Sequence, residues 1–325
     1  MIGIDVSKAT LAVCVRLADS GIELDHEFPN TATGHHKLHA WLKKHGEQTG
    51  WACMESTGPY HLNVAQFLHQ HRYRVSVVNP KRIKAYGESR LSRGKTDKAD
   101  ARLIAEFGEK ETLPVWQPPA QERVALKDLQ DRLDELEESL RQHRQRREHC
   151  QNPSVLASLE REEAFIKQEI EALKREQGHL CDKTPCLREE IELLCTIPGV
   201  GELTATRLVA RIDISLFDHA ASFAAFFGVT PREHSSGTSV HKKARMSKLG
   251  SKRLRTALYF PAMQATRYNA QVQALYDRLV AKGHPKKSAL GAAMRKLAQQ
   301  IYGVWSSRRP YDATHGLPSL ESFTA

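Results

Sequence analysis

Two leucine seams in the middle of the chain limit what it can fold into more than any other feature. Leu126, Leu129, Leu133, Leu136 and Leu140 recur in alternating steps of three and four among Asp, Glu and Arg, the a/d spacing of a helix that buries one narrow stripe. Cys150-Gln151-Asn152-Pro153 interrupts the pattern, because proline lacks the N–H that helix continuation needs. Beyond it Leu159, Ile166, Ile170, Leu173 and Leu180 form a second seam. The spacing predicts a helical coiled-coil hairpin over residues 119–183, leaving an N-terminal domain over 1–118 and a C-terminal domain over 184–325. Apolar stripes on so thin a hairpin need cover, so the seams also predict a homo-oligomer, a dimer or tetramer.

Upstream of the hairpin, apolar runs near 2–6, 11–16, 22–28, 51–55 and 75–80 read as strands, and amphipathic stretches after Asn30 and from Tyr60 to His69 read as helices. That order predicts an α/β domain. Two of its apolar strands carry a lone acid. Asp5 interrupts Ile2-Gly3-Ile4-Asp5-Val6, where a carboxylate is costly unless something cationic neutralises it; the plain alternative is an Asp that ends a short strand and turns into Ser7-Lys8. Glu55 ends Trp51-Ala52-Cys53-Met54-Glu55, and in open sheets flanked by helices the C-terminal strand ends are where ligands bind.

Two more acids lie at a helix start. Thr96 is a suitable N-cap, with Ala99, Leu103, Ile104 and Phe107 at helical spacing behind it. Asp97 and Asp100, three residues apart, share one helix face among Lys95, Lys98 and Arg102. The alternative is a solvated first turn whose acids suit the helix dipole. Taken together, Asp5, Glu55, Asp97 and Asp100 are the ligands that two Mg²⁺ ions about 3.5–4 Å apart need for in-line phosphoryl transfer, with Mn²⁺ able to substitute. This set resembles the DEDD nuclease domain of the ribonuclease-H-like group, as in Holliday-junction resolvases of the RuvC type.

A net charge of +10 asks for a polyanionic partner, nucleic acid before membrane. No apolar run reaches spanning length and no signal peptide precedes the first strand, so the expected location is the cytoplasm, without membrane contact. The six cysteines include no Cys-x-x-Cys pair and no His-Glu-x-x-His occurs, which disfavours zinc. Cys14, Cys53 and Cys195 sit in apolar segments and are expected to be buried thiols without chemistry.

In the C-terminal part, Ile197-Pro198-Gly199-Val200-Gly201 between two helical stretches is similar to a helix-hairpin-helix element. There the backbone amides around Gly199 and Gly201 would hold a DNA phosphate; a plain interhelical turn is the alternative. Residues 226–238 read as a polar loop containing Ser235-Ser236-Gly237, and 241–255 carry Lys242, Lys243, Arg245, Lys248, Lys252, Arg253 and Arg255 without one acid. A serine beside such a run suits attack on a phosphodiester, although Ser-Ser-Gly alone is ordinary loop composition. Helices over 252–268, 271–281 and 287–305 complete the domain.

Gly3-Ile4-Asp5-Val6-Ser7-Lys8, Met54-Glu55-Ser56-Thr57-Gly58, Lys95-Thr96-Asp97-Lys98-Ala99-Asp100-Ala101, Ile197-Pro198-Gly199-Val200-Gly201 and Ser235-Ser236-Gly237 together resemble the DEDD transposases of the insertion sequence 110 family, the bridge-RNA-guided recombinases. The resemblance covers nearly the whole chain. It implies a RuvC-like N-terminal domain using Asp5, Glu55, Asp97 and Asp100 around Mg²⁺, and a mainly α C-terminal transposase domain whose serine, Ser236 with Ser235 as second choice, links covalently to DNA. It further implies a composite site built from domains of different subunits, and a structured noncoding bridge RNA that pairs with donor and target DNA. The chain departs from the family pattern at Thr238-Ser239-Val240.

Three rival readings are weaker. A sugar-kinase or actin-like ATPase also starts on a Gly-x-Asp strand, but the later phosphate and adenosine loops of that fold are missing around Asp213. A noncatalytic nucleic-acid-binding scaffold leaves Asp5 and Glu55 unexplained. A RuvC-like structure-selective junction nuclease uses all four acids and gives Ser236 no role.

Overall fold

The computed structural model describes residues 1–17, 23–46, 50–90, 96–236 and 240–314, with the backbone alone for 232–236 and 240–245. Its contacts divide into two units, Met1–Pro119 and Ala120–Ala325.

The first unit is built on a five-stranded sheet. Strands β1 (Ile2–Val6), β2 (Thr10–Arg16) and β3 (Glu23–Pro29) form an antiparallel meander. Helix α1 (Ala32–Lys44), β4 (Trp51–Glu55), α2 (Tyr60–Gln70) and β5 (Arg74–Val78) follow, with β4 and β5 parallel to β1 in the order β3-β2-β1-β4-β5. Helices α3 (Pro80–Ser89) and α4 (Asp97–Lys110) end the unit. The strands are apolar on both faces because both are covered. Ile2, Ile4, Met54 and Val75 pack with Leu38, Leu42, Val64 and Leu68 of α1 and α2, while Cys53, Val78, Ile104 and Phe107 form a cluster on the α4 side. The charged, exposed β3 guards the sheet edge.

α4 lies unusually close to β1. A Cβ on Gly3 would fall 2.2 Å from the Ala101 carbonyl oxygen and 2.4 Å from the Ala105 nitrogen, so only glycine lets the helix backbone settle there. Thr96 caps α4 as its sequence predicts, accepting a hydrogen bond from the Ala99 amide. α3 was not anticipated, although Asn79 capping the Lys81 amide and Pro80 in the first turn are helix-start signals.

The second unit is mainly helical. α5 (Gln121–His149) and α6 (Pro153–Lys183) pack antiparallel, with Leu133 and Leu136 buried against Ile166 and Ile170. Gln130 rather than the half-buried Leu129 takes the next seam position, where it accepts a hydrogen bond from Gln177. The seam therefore covers itself within one chain, which removes the exposed leucine stripe from which an oligomer was expected. α7 (Pro185–Cys195), α8 (Glu202–Arg211), α9 (Ala220–Phe226), α10 (Lys252–Ala257), α11 (Tyr259–Tyr268), α12 (Ala270–Ala281) and α13 (Lys286–Ser307) form one core, with Phe223, Phe227, Leu297, Ile301 and Trp305 fully buried. No helix among the described residues is long and apolar enough to cross a membrane.

Three expectations change here. The polar loop over 226–238 is in large part a β-hairpin of β6 (Pro231–Ser236) and β7 (Val240–Met246), pairing Ser236 with Val240. The helix over 252–268 is two helices, because Pro261 in the first turn of α11 has no N–H for the Ala257 carbonyl. Cys195 is exposed and Cys181 buried instead.

Candidate active site

The sheet register brings the strand acids together. β1 and β4 run parallel with Ile2 opposite Ala52, Gly3 opposite Cys53 and Ile4 opposite Met54, so the same step carried on one residue sets Asp5 beside Glu55. Side chains alternate between the faces of a strand. Since Ile2 and Ile4 face α1 and α2, Asp5 lies on the opposite face with Gly3, under α4. The N-terminal turn of α4 carries Asp97, exposed, and Asp100, half-buried.

Electrostatics tie the four together. Burial and then the carboxylates of Glu55, Asp100 and Asp97 push the Asp5 carboxyl up to about 6, against the pull of the Val6 amide. Glu55 accepts a hydrogen bond from the Thr57 hydroxyl at 3.3 Å. Oxygen donors of this kind suit a hard divalent cation. Their spacing is not that of a finished site: among the described residues no three His, Cys, Asp or Glu side chains are grouped closely enough to hold a metal ion. The donor set fits in kind, and its side chains have to close in on an ion to ligate it.

The cations expected around these acids are differently employed. Arg102 turns to Asp25 and Glu23 of β3, and its guanidinium holds the Asp25 carboxyl below the usual carboxylate range. Arg82 pairs with Glu111 and Arg90 with Glu106. Lys98 is exposed, and Lys95 lies outside the described residues.

In the second unit, Ser235 and Ser236 stand at the end of β6, and Lys242, Lys243 and Arg245 on the facing β7; Gly237 lies outside the described residues. The base of this hairpin is a tight clamp. Gly228 (φ +70°), Lys248 (φ +54°) and Gly250 (φ +148°) take left-handed conformations, and a Cβ on Gly250 would meet the Gly228 nitrogen at 2.5 Å. Arg255 is committed to this clamp, donating to the Phe227 carbonyl at 3.2 Å and the Lys248 carbonyl at 3.4 Å. Arg253 pairs with Asp131 at 3.1 Å, and Lys252 is exposed.

The Gly199 turn has a packing reason of its own. Gly199 has φ +100°, and a Cβ there would lie 2.8 Å from the Pro261 carbonyl and 2.9 Å from Ala265. Gly201 caps α8 facing open space, but Glu202 already occupies that positive helix end and pairs with Arg188. One feature escaped the sequence reading: the acid-free stretch is far longer than 241–255, for Asp277 is the only acid between Glu233 and Asp312.

Comparison with known proteins shows the family. Residues 2–152 match the family model for DEDD transposases of the IS110 type, and residues 191–277 match that of the IS116/IS110/IS902 transposase family. The pilin gene-inverting proteins of Moraxella bovis and Moraxella lacunata are each 34% identical over 316 residues, spanning 96% of this chain and 97% of theirs. The transposase for insertion sequence element IS1111A of Coxiella burnetii is 27% identical over 280 residues, spanning 73% of this chain and 72% of its own. With two family models in order along it and a relative aligned over nearly its whole length, the chain belongs to the IS110 family of transposases.

Proposed function

We propose that this transposase cuts and exchanges DNA strands of an insertion sequence at Asp5, Glu55, Asp97 and Asp100. The observation that carries the proposal is the β1–β4 register that sets Asp5 beside Glu55 under the close seat of α4, whose first turn holds Asp97 and Asp100; burial and the other three carboxylates raise the Asp5 carboxyl to about 6. The sheet order β3-β2-β1-β4-β5, with an antiparallel meander followed by two parallel strands, supports a RuvC-like, ribonuclease-H-like unit. Asp5 and Glu55 with Asp97 and Asp100 would hold Mg²⁺, which supplies charge stabilisation at the phosphoryl group. The chain's own residues position that charge: β1 and β4 hold two acids side by side, and the close seat of α4 on Gly3 presents the other two.

The serine belongs to the same proposal. Ser236 attacks a scissile phosphate, its oxygen replacing the leaving 3′ or 5′ oxygen on phosphorus, and the phosphoserine ester keeps the bond energy until an incoming strand hydroxyl displaces it. Support comes from its place at the end of a hairpin with a rigid base. The positive stretch around it favours DNA and a structured bridge RNA as partners. An oligomeric assembly in the cytoplasm belongs to the same proposal, with its contacts lying outside the α5–α6 coiled-coil seam, which is covered within one chain. On a suicide DNA substrate, wild type should give an adduct that mass spectrometry maps to Ser236, and Ser236→Ala should bind DNA without forming it. Cleavage without any adduct would favour the RuvC-like junction nuclease, and an adduct at Ser235 or a tyrosine would remove Ser236.

A further inference from the structure

A cavity of about 440 Å³ opens among the end of β7, α10, α11 and α13. Met246, Leu290 and Met294 give it an apolar side, Tyr259 an aromatic wall, and Arg255 and Lys287 a cationic rim; no acid among the described residues lines it. That combination is selective. An apolar ligand alone does not need the two cations, and a bare phosphate gains nothing from two methionines and a leucine. A flat heteroaromatic ring joined to a phosphate uses both.

The surroundings point the same way. Tyr259 and Phe260 are 42% and 67% exposed with ring centroids 5.5 Å apart, a pair of apolar faces left in water beside the opening. The acid-poor stretch from Glu233 to Asp312 contains every residue that lines the cavity, so a polyanion approaches it without repulsion. Arg255 is already fixed by the Phe227 and Lys248 carbonyls, and binding costs it little further order. Gly291 keeps the α13 wall low: a Cβ there would lie 2.9 Å from the Met246 methyl carbon, and a glycine inside a helix costs about 1 kcal/mol relative to alanine unless it serves some purpose.

We propose that this cavity receives a nucleobase turned out of the DNA on which the transposase acts, stacked on Tyr259, with Lys287 at its phosphate. Met246 and Val240 are the two ends of β7, and Val240 pairs with Ser236. The pocket therefore lies up to about 20 Å from the end of the hairpin, about six base steps of B-form DNA. A base held there fixes the strand's register. The inference rests on the chain acting on DNA and is independent of the serine and of the four acids.

Turning a base out costs unpairing energy, and a mismatch removes part of that cost in advance. The test uses the full chain and duplexes of the DNA flanking its gene, with a single mismatch moved through successive positions, in the presence and absence of the transcript of the same flank. Wild type should bind about tenfold tighter when the mismatch reaches one position. Gly291→Leu, which fills the cavity while improving helix propensity, and Tyr259→Ala should both lose that gain, while the salt dependence, set by phosphate contacts, stays as in wild type. Uniform affinity across all mismatch positions, or a gain that survives both variants, overturns the proposal. So does a gain that follows mismatches placed in the transcript and not those placed in the DNA, which would make the occupant an RNA base. An Asp5→Asn chain should keep the positional gain, so failure of the acid site and failure of the pocket are read separately.

Discussion

The two units treat their acids in opposite ways. In the second unit the carboxylates are matched: Asp131 and Asp134 face Arg211, Glu137 faces Arg207, and the buried Glu190 is held between Arg123 and Arg308. In the first, Asp5, Glu55, Asp97 and Asp100 form no ion pair among the described residues, and the nearest expected partner, Arg102, turns to β3 instead. Matched acids hold helices together. Unmatched acids at the C-terminal ends of β1 and β4 and the start of α4 repel one another and depress stability, a cost that the proposed metal site would account for.

The sharpest way to break that contrast is to neutralise one member of each set. Asp5→Asn should lower strand exchange by about 10³ or more, because the proposed site would lose a ligand of the ion whose charge stabilisation is worth several kcal/mol. Activity within tenfold of wild type would remove Asp5 from the site. Glu190→Ala should do the reverse, costing about 1–3 kcal/mol in chemical denaturation, because the half-buried Arg123 loses its carboxylate partner while the exposed Arg308 turns to water.

Stability against pH sharpens the comparison further. Asp5 is raised in the folded chain from the ordinary 3.8 to about 6, so the folded protein holds that proton more tightly than the unfolded one. Its contribution is fully present below about pH 3.8, is lost as pH rises through about 6, and leaves a constant deficit above. The full shift corresponds to about 3 kcal/mol, which partial exposure reduces to about 1 kcal/mol. Asp5→Asn should therefore be the more stable protein at pH 7.5 by about that amount, with the difference closing toward pH 4. The smallest effect belongs to the hairpin, where the Ser139 carbonyl and Glu162 raise the His143 pKa above 6.5. That stabilisation is complete below pH 6.5 and is lost as pH rises through the folded value, so His143→Gln should flatten a shallow neutral-pH slope in hairpin melting.

Asp5 and Glu55 were legible as candidates because each is a lone charge in an apolar strand, whereas Asp97 and Asp100 in a helix's first turn are ordinary by themselves and stood out only beside the other two. What could not be read was their mutual placement. The β1–β4 register and the seat of α4 on Gly3 are long-range, and no local pattern encodes them. The serine hairpin was misread as a loop because Pro231-Arg232-Glu233-His234-Ser235-Ser236 has none of the β-branched alternation of a strand and pairs only through β7. The leucine spacing announced the α5–α6 hairpin, but how completely Ile166 and Ile170 would cover Leu133 and Leu136 depends on packing between two helices that neither seam encodes alone.

The central claim is that the unmatched acids await a cation, and thermal melting with added Mg²⁺ at pH 7.5 tests it without any DNA. A ligand at about 10–100 times its dissociation constant stabilises the fold by about 1–3 kcal/mol. Wild type should melt several degrees higher with Mg²⁺, while Asp5→Asn and Asp97→Asn, though folded, should lose most of that rise. An equal rise in all three proteins, or none in the wild type, would contradict the four-acid site.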